Sequence, residues 1–198
     1  MNWKIVMIVS NINEFKKQLL KYVDSSNLSI IRTSKRTKIE ELNDDGKGEV
    51  YVNVVSNDII QIILSPKIAI GKNKNNNDGL LLSIDFSKKS INIYIFELKK
   101  QLRFNKLEKA TKQLYNAYIF IKYLNLEDCF DINYYFYIAT KENNLKKDYE
   151  DIKVLTPYQI KLFKSVYENK TKIPIMQTFC KYKEFDFKLL NFGEIINV

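Results

Sequence analysis

Two apolar runs, Leu80 to Phe86 and Ile91 to Leu98, stand either side of Ser87-Lys88-Lys89-Ser90, and they confine the chain to a fold built on a buried sheet. Short runs rich in leucine and isoleucine, closed off by polar turn residues, read as the two arms of a β-hairpin. Counting back in twos from Glu97, the residues Ile95, Ile93 and Ile91 share one face, and that face should be buried. Glu97 and Lys99 then continue the same face with a carboxylate and an ammonium. Buried charge is costly unless it is paired, hydrogen-bonded or holding a metal, so the break in the pattern marks Glu97-Leu98-Lys99 as a candidate site.

At 198 residues, 45% of them hydrophobic, the chain has the length and composition of one globular domain spanning 1–198 with a single core. The opening run Ile5-Val6-Met7-Ile8-Val9 is too brief for a membrane span or a signal-peptide core, so a cytoplasmic protein without a membrane partner is expected. Cys129 and Cys180 make neither a disulfide framework nor a metal cluster and read as small buried hydrophobes. The chain contains no histidine, which removes Ser-His and Cys-His nucleophiles and the commonest zinc ligand. Catalysis, if present, falls to carboxylates, lysines, tyrosines or a hard metal. A formal charge of +9 favours approach to a polyanion, and nucleic acid is the expected partner. Of the basic residues only Arg32, Arg36 and Arg103 are arginine, and the abundance of Lys, Asn, Ile, Tyr and Phe is also what AT-rich coding produces.

Along the chain, Met1 to Val9 reads as a strand, and Asn11 is placed to cap a helix running to Tyr22. Ser29 to Arg32 reads as a strand and Lys38 to Leu42 as one helical turn, stopped by Asn43-Asp44-Asp45-Gly46. Val50 to Val55 and Ile59 to Leu64 flank Ser56-Asn57-Asp58 as a first hairpin, ended by Pro66, with a short extended piece at Lys67 to Ile70. The polar stretch Gly71 to Asn77 is a solvated insertion or, more sharply, a basic arm beside a substrate, carrying Lys72 and Lys74. After the central hairpin come a helix over Lys106 to Tyr123, an aromatic strand over Ile132 to Ala139, a helix opened by Thr156-Pro157 and ending near Tyr167, and two closing strands at Lys172 to Cys180 and Phe185 to Leu190. The aromatic strand is read as core, with base stacking as the alternative. The basic cluster Arg32, Lys35, Arg36, Lys38 is either a phosphate-contacting loop or a solvated surface.

Acidic-x-Lys triplets recur at Glu14, Glu97, Asp151, Glu168 and Asp186, so the triplet alone proves nothing. On a helix, residues two apart point in different directions, which sets aside Glu14 and Glu168. Asp151 reads as part of a charged loop. Only Glu97/Lys99 and Asp186/Lys188 lie in strands, and only the former in an apolar hairpin. With Lys88-Lys89 as the turn, Glu97 opposes Leu80, Lys99 opposes Asp78, and Asp85 opposes Asn92. Asp85 is then about 16 Å from Glu97 at roughly 3.3 Å per residue, which leaves Asp78 as the partner carboxylate. Gly79 removes a side chain where another backbone or a phosphate could approach. Two carboxylates and a lysine on adjoining strands suit a hard divalent ion and phosphodiester hydrolysis, the alternative being a structural ion pair between Asp78 and Lys99.

An acid opening a strand, a hairpin, Glu97-Leu98-Lys99 ending the next strand, a helix with Gln113 and then the strand at 132–139 resemble the PD-(D/E)xK nuclease superfamily, the restriction-endonuclease-like fold. The resemblance covers most of residues 11 to 139. It implies an α/β fold with a mixed central sheet flanked by helices, an αβββαβ core, to which the C-terminal αββ segment would be an extension. It also implies a Mg²⁺- or Mn²⁺-dependent endonuclease acting on nucleic acid, DNA in preference to RNA. Asp78 and Glu97 would be metal ligands, Lys99 the water-orienting residue, and Gln113 a helix residue facing the site. The chain departs from the pattern in having Asn77 before Asp78 and Ala117 four residues after Gln113. The family's additional glutamate could be Glu14, Glu40, Glu41 or Glu49. Arg32, Lys35, Arg36, Lys72 and Lys74 are the candidate nucleic-acid contacts, and a homodimer is open. Two rivals remain: an inactive nucleic-acid- or protein-binding module on the same scaffold, as in a conflict between a mobile element and its host, and a structural protein whose lysines reflect coding composition.

Overall fold

The computed structural model describes residues 10–40, 48–63, 78–151, 155–178 and 181–198. The expectations for Met1 to Val9, for Asn43 to Gly46, for Pro66 and for Lys67 to Asn77 lie outside the described residues, as do Glu41 and Cys180. In chain order the elements are α1 (Ile12–Leu19), β1 (Leu28–Ile31), β2 (Arg36–Glu40), β3 (Glu49–Asn53), β4 (Ile59–Ile62), β5 (Gly79–Asp85), β6 (Ser90–Leu102), α2 (Phe104–Tyr123), β7 (Asp131–Asn143), α3 (Leu145–Asp151), α4 (Pro157–Tyr167), β8 (Lys172–Thr178), β9 (Lys181–Asn191) and β10 (Ile195–Asn197). Among the described residues they build a seven-stranded mixed sheet in the order β1-β4-β5-β6-β7-β9-β8 and a three-stranded sheet in the order β10-β3-β2. In the large sheet β1, β4, β5 and β6 pair antiparallel in turn, β6, β7 and β9 run parallel, and β8 returns antiparallel. The protein is thus mixed α/β, with a mixed sheet flanked by helices.

Alternation along β5 and β6 divides the core into two layers. Leu80, Leu82, Ile91, Ile93 and Ile95 belong to one apolar cluster, which they share with Phe15 of α1, Leu107 and Leu114 of α2 and Leu162 of α4. Leu81, Tyr94, Phe96 and Leu98 point the other way, into a cluster with Ile39, Val50, Val52 and Ile196 of the smaller sheet. Each face of the central strands is therefore sealed, which is why β5 is apolar almost throughout rather than alternating with polar residues. The apolar side chains of β5 and β6 that form this core are fully or almost fully buried.

The helix signals act locally. Asn11 accepts bonds from the amides of Asn13 and Glu14 at 3.1 Å each and starts α1, which ends at Leu19 rather than Tyr22. Thr156 and Gln159 form a reciprocal capping box with Pro157 in the first turn of α4. The opening of α2 has no cap of its own. Asp148 of α3 supplies it: its carboxylate accepts from the Phe104 amide at 2.7 Å and from the Arg103 guanidinium at 3.0 and 3.1 Å. Burial raises the Asp148 pKa, but the Phe104 amide and Arg103 outweigh it, and the net effect is a lowered pKa. A lowered carboxyl pKa contributes stability that is whole above the unfolded-state value and fades as pH falls through the folded-state value. Asp148→Ala should therefore cost about 1–2 kcal/mol at neutral pH, with the difference from wild type shrinking in urea melts at pH 3.

Several local expectations are corrected. Lys38 is not in a helical turn: Arg36–Glu40 is a strand antiparallel to β3, with Ile39 buried between exposed neighbours. Val50 and Ile59 do not begin the arms of a hairpin, because β3 and β4 enter different sheets. Between them the Asp58 carboxylate accepts from the Thr33 amide at 2.7 Å and from Arg32, tying the segment after β3 to the end of β1. Asp151 closes α3 rather than lying in a loop. The C-terminal αββ expectation meets α4, β8 and β9, with α3 before them and β10 after them; β10 runs parallel to β3 in the smaller sheet.

Candidate active site

The central hairpin turns over Phe86 to Lys89 rather than over Lys88-Lys89 alone, so Leu80 pairs with Ile95 instead of Glu97, a register shift of two residues. Because the shift is even, each side chain keeps its face. Asp85 moves opposite Ser90, farther from Glu97 than expected, and serves the turn itself. Its carboxylate accepts from the Ser87 hydroxyl at 2.6 Å and from the amides of Ser87 and Lys88 at 3.0 Å, which holds its pKa at about 2.

Asp78 lies just before Gly79, the first residue of β5. Its amide donates to the Phe96 carbonyl at 3.1 Å and its carboxylate accepts from the Leu98 amide at 2.6 Å. By alternation Asp78 shares the face of Leu80 and Leu82, and Glu97 and Lys99 share that of Ile95, so all three belong to the α2 side of the sheet. The Lys99 ammonium donates to Glu97 Oε1 and, at 3.0 Å, to the Leu98 carbonyl. The Leu98 main chain thus links the group, its N–H held by Asp78 and its C=O by Lys99. Lys99 forms a buried ion pair with Glu97, because residues two apart on one strand project together. Asp78 is 4% exposed, Glu97 0% and Lys99 7%, so two carboxylates and one ammonium sit inside the protein.

Gln113 is 2% exposed, on the stripe of α2 that also buries Ala110, Leu114 and Ala117, and α2 packs on β6. Gly79 has a different neighbour from the one expected: a Cβ there would come within 2.7 Å of Ile39, so glycine admits the smaller sheet rather than a phosphate.

The other candidates lie elsewhere. Glu14 accepts from the Ser10 amide and hydroxyl at the start of α1, Glu40 pairs with Lys38, and Glu49 accepts from the Tyr51 hydroxyl. Arg32 is engaged by Asp58, and Arg36 bonds Asn53 at 2.9 Å on the smaller sheet, which covers the face opposite Glu97. Lys35 is exposed near them, while Lys72 and Lys74 lie outside the described residues. Asp186 and Lys188 are exposed on β9, unlike their counterparts on β6. In the aromatic strand, Phe136 packs on Phe185 at 4.6 Å between ring centres and Tyr134 on Tyr118 at 5.0 Å, while Tyr135 and Tyr137 stack on Tyr94 and Phe96 across the other face. Half-buried Cys129 packs against the helical cluster.

Sequence reasoning missed the Leu98 main chain and Asp148. No side-chain pattern announces a backbone ligand; the Asn143 side chain, which accepts from the Leu145 amide at 3.2 Å, was the available sign that a helix begins there. Among the described residues no group of three or more Asp, Glu, His or Cys side chains is placed to hold an ion, and no helix is long and apolar enough to cross a membrane. No protein-family model matches the chain, and searches of curated proteins and of solved structures found no significant match.

Proposed function

We propose that the chain is a metal-dependent nuclease of the PD-(D/E)xK type, with Asp78, Glu97 and Lys99 as its reactive group. The observation that carries this reading is the meeting of two carboxylates and one ammonium on a single face of β5 and β6, where the surrounding pattern asks for apolar side chains. The carboxylates of Asp78 and Glu97 and the Leu98 carbonyl are oxygen donors of the kind Mg²⁺ or Mn²⁺ takes, and Mg²⁺ is commonly held by only one or two protein carboxylates. A bound divalent ion would polarise the phosphate and make its water a stronger nucleophile. Asp78 fixes the Leu98 peptide, Glu97 positions Lys99, and the Lys99 ammonium can then orient a water or offset charge on the phosphate. Gln113, on the buried stripe of α2, would face the group.

The order of elements also supports the reading. The helix α1, the antiparallel strands β4, β5 and β6, the helix α2 and the parallel strand β7 would supply the αβββαβ core that the resemblance implies, with β1, which pairs with β4, as an extra strand. The smaller sheet and the elements from α3 onward would be additions to it.

The test is cleavage of supercoiled plasmid and of structured RNA by the purified chain in 5–10 mM Mg²⁺ or Mn²⁺, with a chelator as the control. Products that appear only with the ion support the assignment; cleavage unaffected by chelation removes it. A second reading rests on burial: with Glu97 fully enclosed and Lys99 committed to it, the group serves structure on an inactive binding scaffold. Salt-sensitive nucleic-acid binding with no cleavage under either ion selects that reading.

A further inference from the structure

The segment from Pro157 to Lys188 carries seven lysines against three acids, nearly half of the chain's formal +9 in less than a fifth of its length. The fold gathers these charges at one edge of the large sheet, where α4 packs on β8 and β8 pairs with β9. Lys161 bonds Glu184 at 2.6 Å and the Tyr182 hydroxyl at 2.8 Å, with its ammonium 4.5 Å from the centre of the Tyr182 ring. Lys172 pairs across the hairpin with Asp186 in backbone register, and Lys183 lies over the Phe185 ring at 5.3 Å. The Glu184 carboxyl is held below its usual range, first by its bond to Lys161 and further by the positive charge of Lys172 and Lys170. Lys164 and Lys170 are exposed beside them, and Tyr182 stands 44% exposed within the group.

We infer that this edge binds single-stranded nucleic acid, with Lys164, Lys170 and Lys172 on the phosphates and Tyr182 stacked on an unpaired base. Glu168, which pairs with Lys170 at 2.8 Å, Glu184 and Asp186 neutralise part of the charge, and the seven lysines outnumber these three acids. Lysine chains reach phosphates without dictating sequence, and an exposed ring accepts any base, so the surface fits a polymer with unpaired bases rather than a chosen sequence. Tyr158, its ring 6.3 Å from that of Tyr182, extends the aromatic surface. The site lies outside the Asp78 group and does not require that group to cleave.

The test is fluorescence anisotropy of labelled 20-nucleotide oligo-dT and oligo-U, a 20-base-pair duplex and anionic phospholipid vesicles, all with chelator so that binding is read apart from any hydrolysis. Wild type should bind both single strands more tightly than the duplex. Lys164→Gln/Lys170→Gln/Lys172→Gln should make the dependence of log K on log salt shallower by about 2, from roughly 0.7 per lost phosphate contact. Tyr182→Ala should weaken single-strand binding by about 5- to 150-fold, the range for one lost base stack, and Tyr182→Phe should restore it. All four side chains are exposed, so wild-type melting curves are expected for each variant. Preference for the duplex, vesicle binding alone, or unchanged affinity and salt slope in the folded variants overturns the inference. A Glu97→Gln chain that binds normally and does not cleave bears on the nuclease reading alone.

Discussion

Glu97→Gln should lower divalent-ion-dependent cleavage by about 10²–10³-fold while single-strand binding in chelator stays at the wild-type level. The magnitude is what loss of a few kcal/mol of transition-state charge stabilisation produces. Glutamine keeps the shape of the side chain and an oxygen that can accept from Lys99 but loses the negative charge that would hold the ion, and rates are compared at a temperature where melting curves show both chains folded. Asp78→Asn should act in the same direction. Its oxygen can still accept from the Leu98 amide, which the wild-type carboxylate holds at 2.6 Å. Initial rates on plasmid and RNA, across Mg²⁺ and Mn²⁺ titrations, measure the effect. Cleavage by Glu97→Gln at the wild-type rate would falsify the assignment of the site.

Lys99→Met should destabilise the fold by about 3–5 kcal/mol, because it breaks the buried Glu97–Lys99 ion pair by removing one partner. For a chain of this length that corresponds to a fall in Tm of roughly 10 °C or more. The companion Glu97→Gln/Lys99→Met should recover most of the loss, since it removes both members of the pair, and the double-mutant cycle measures the coupling directly. If Asp78 and Glu97 also hold a divalent ion, Mg²⁺ at about 100 times its Kd should return roughly 2.7 kcal/mol to Lys99→Met in urea melts. A Lys99→Met chain as stable as wild type would remove the buried ion pair as a feature of the protein. Destabilisation with no response to Mg²⁺ or Mn²⁺ would leave the pair structural and count against the metal site.

The candidate site was legible because a single strand breaks its own period: the isoleucines at 91, 93 and 95 define a face, and Glu97 and Lys99 violate it. Its partner could be chosen before the register was known, since Asp85 is too far from Glu97 in any neighbouring register. The reading erred on what pairs with what. The turn is longer than expected, so Lys99 meets Glu97 on its own strand, and Asp78 meets the Leu98 peptide. Loop length sets register, and the polar residues Ser87-Lys88-Lys89-Ser90 fit more than one turn. Gly79 shows the same limit, because local sequence does not reveal that Ile39, forty residues earlier in the chain, will occupy the space beside it.

Local interactions determined the helix starts at Asn11 and Thr156, the extended state of β5 and β6, and the face on which charge would be buried, because caps and side-chain alternation act within a few residues. Tertiary structure decided the rest. It separated β3 from β4 into two sheets, gave α2 its cap from Asp148, and set the Asp78 carboxylate against the Leu98 amide. Each of these depends on a partner chosen by packing, either across long stretches of chain or through the register of a turn, and no window of sequence contains that choice.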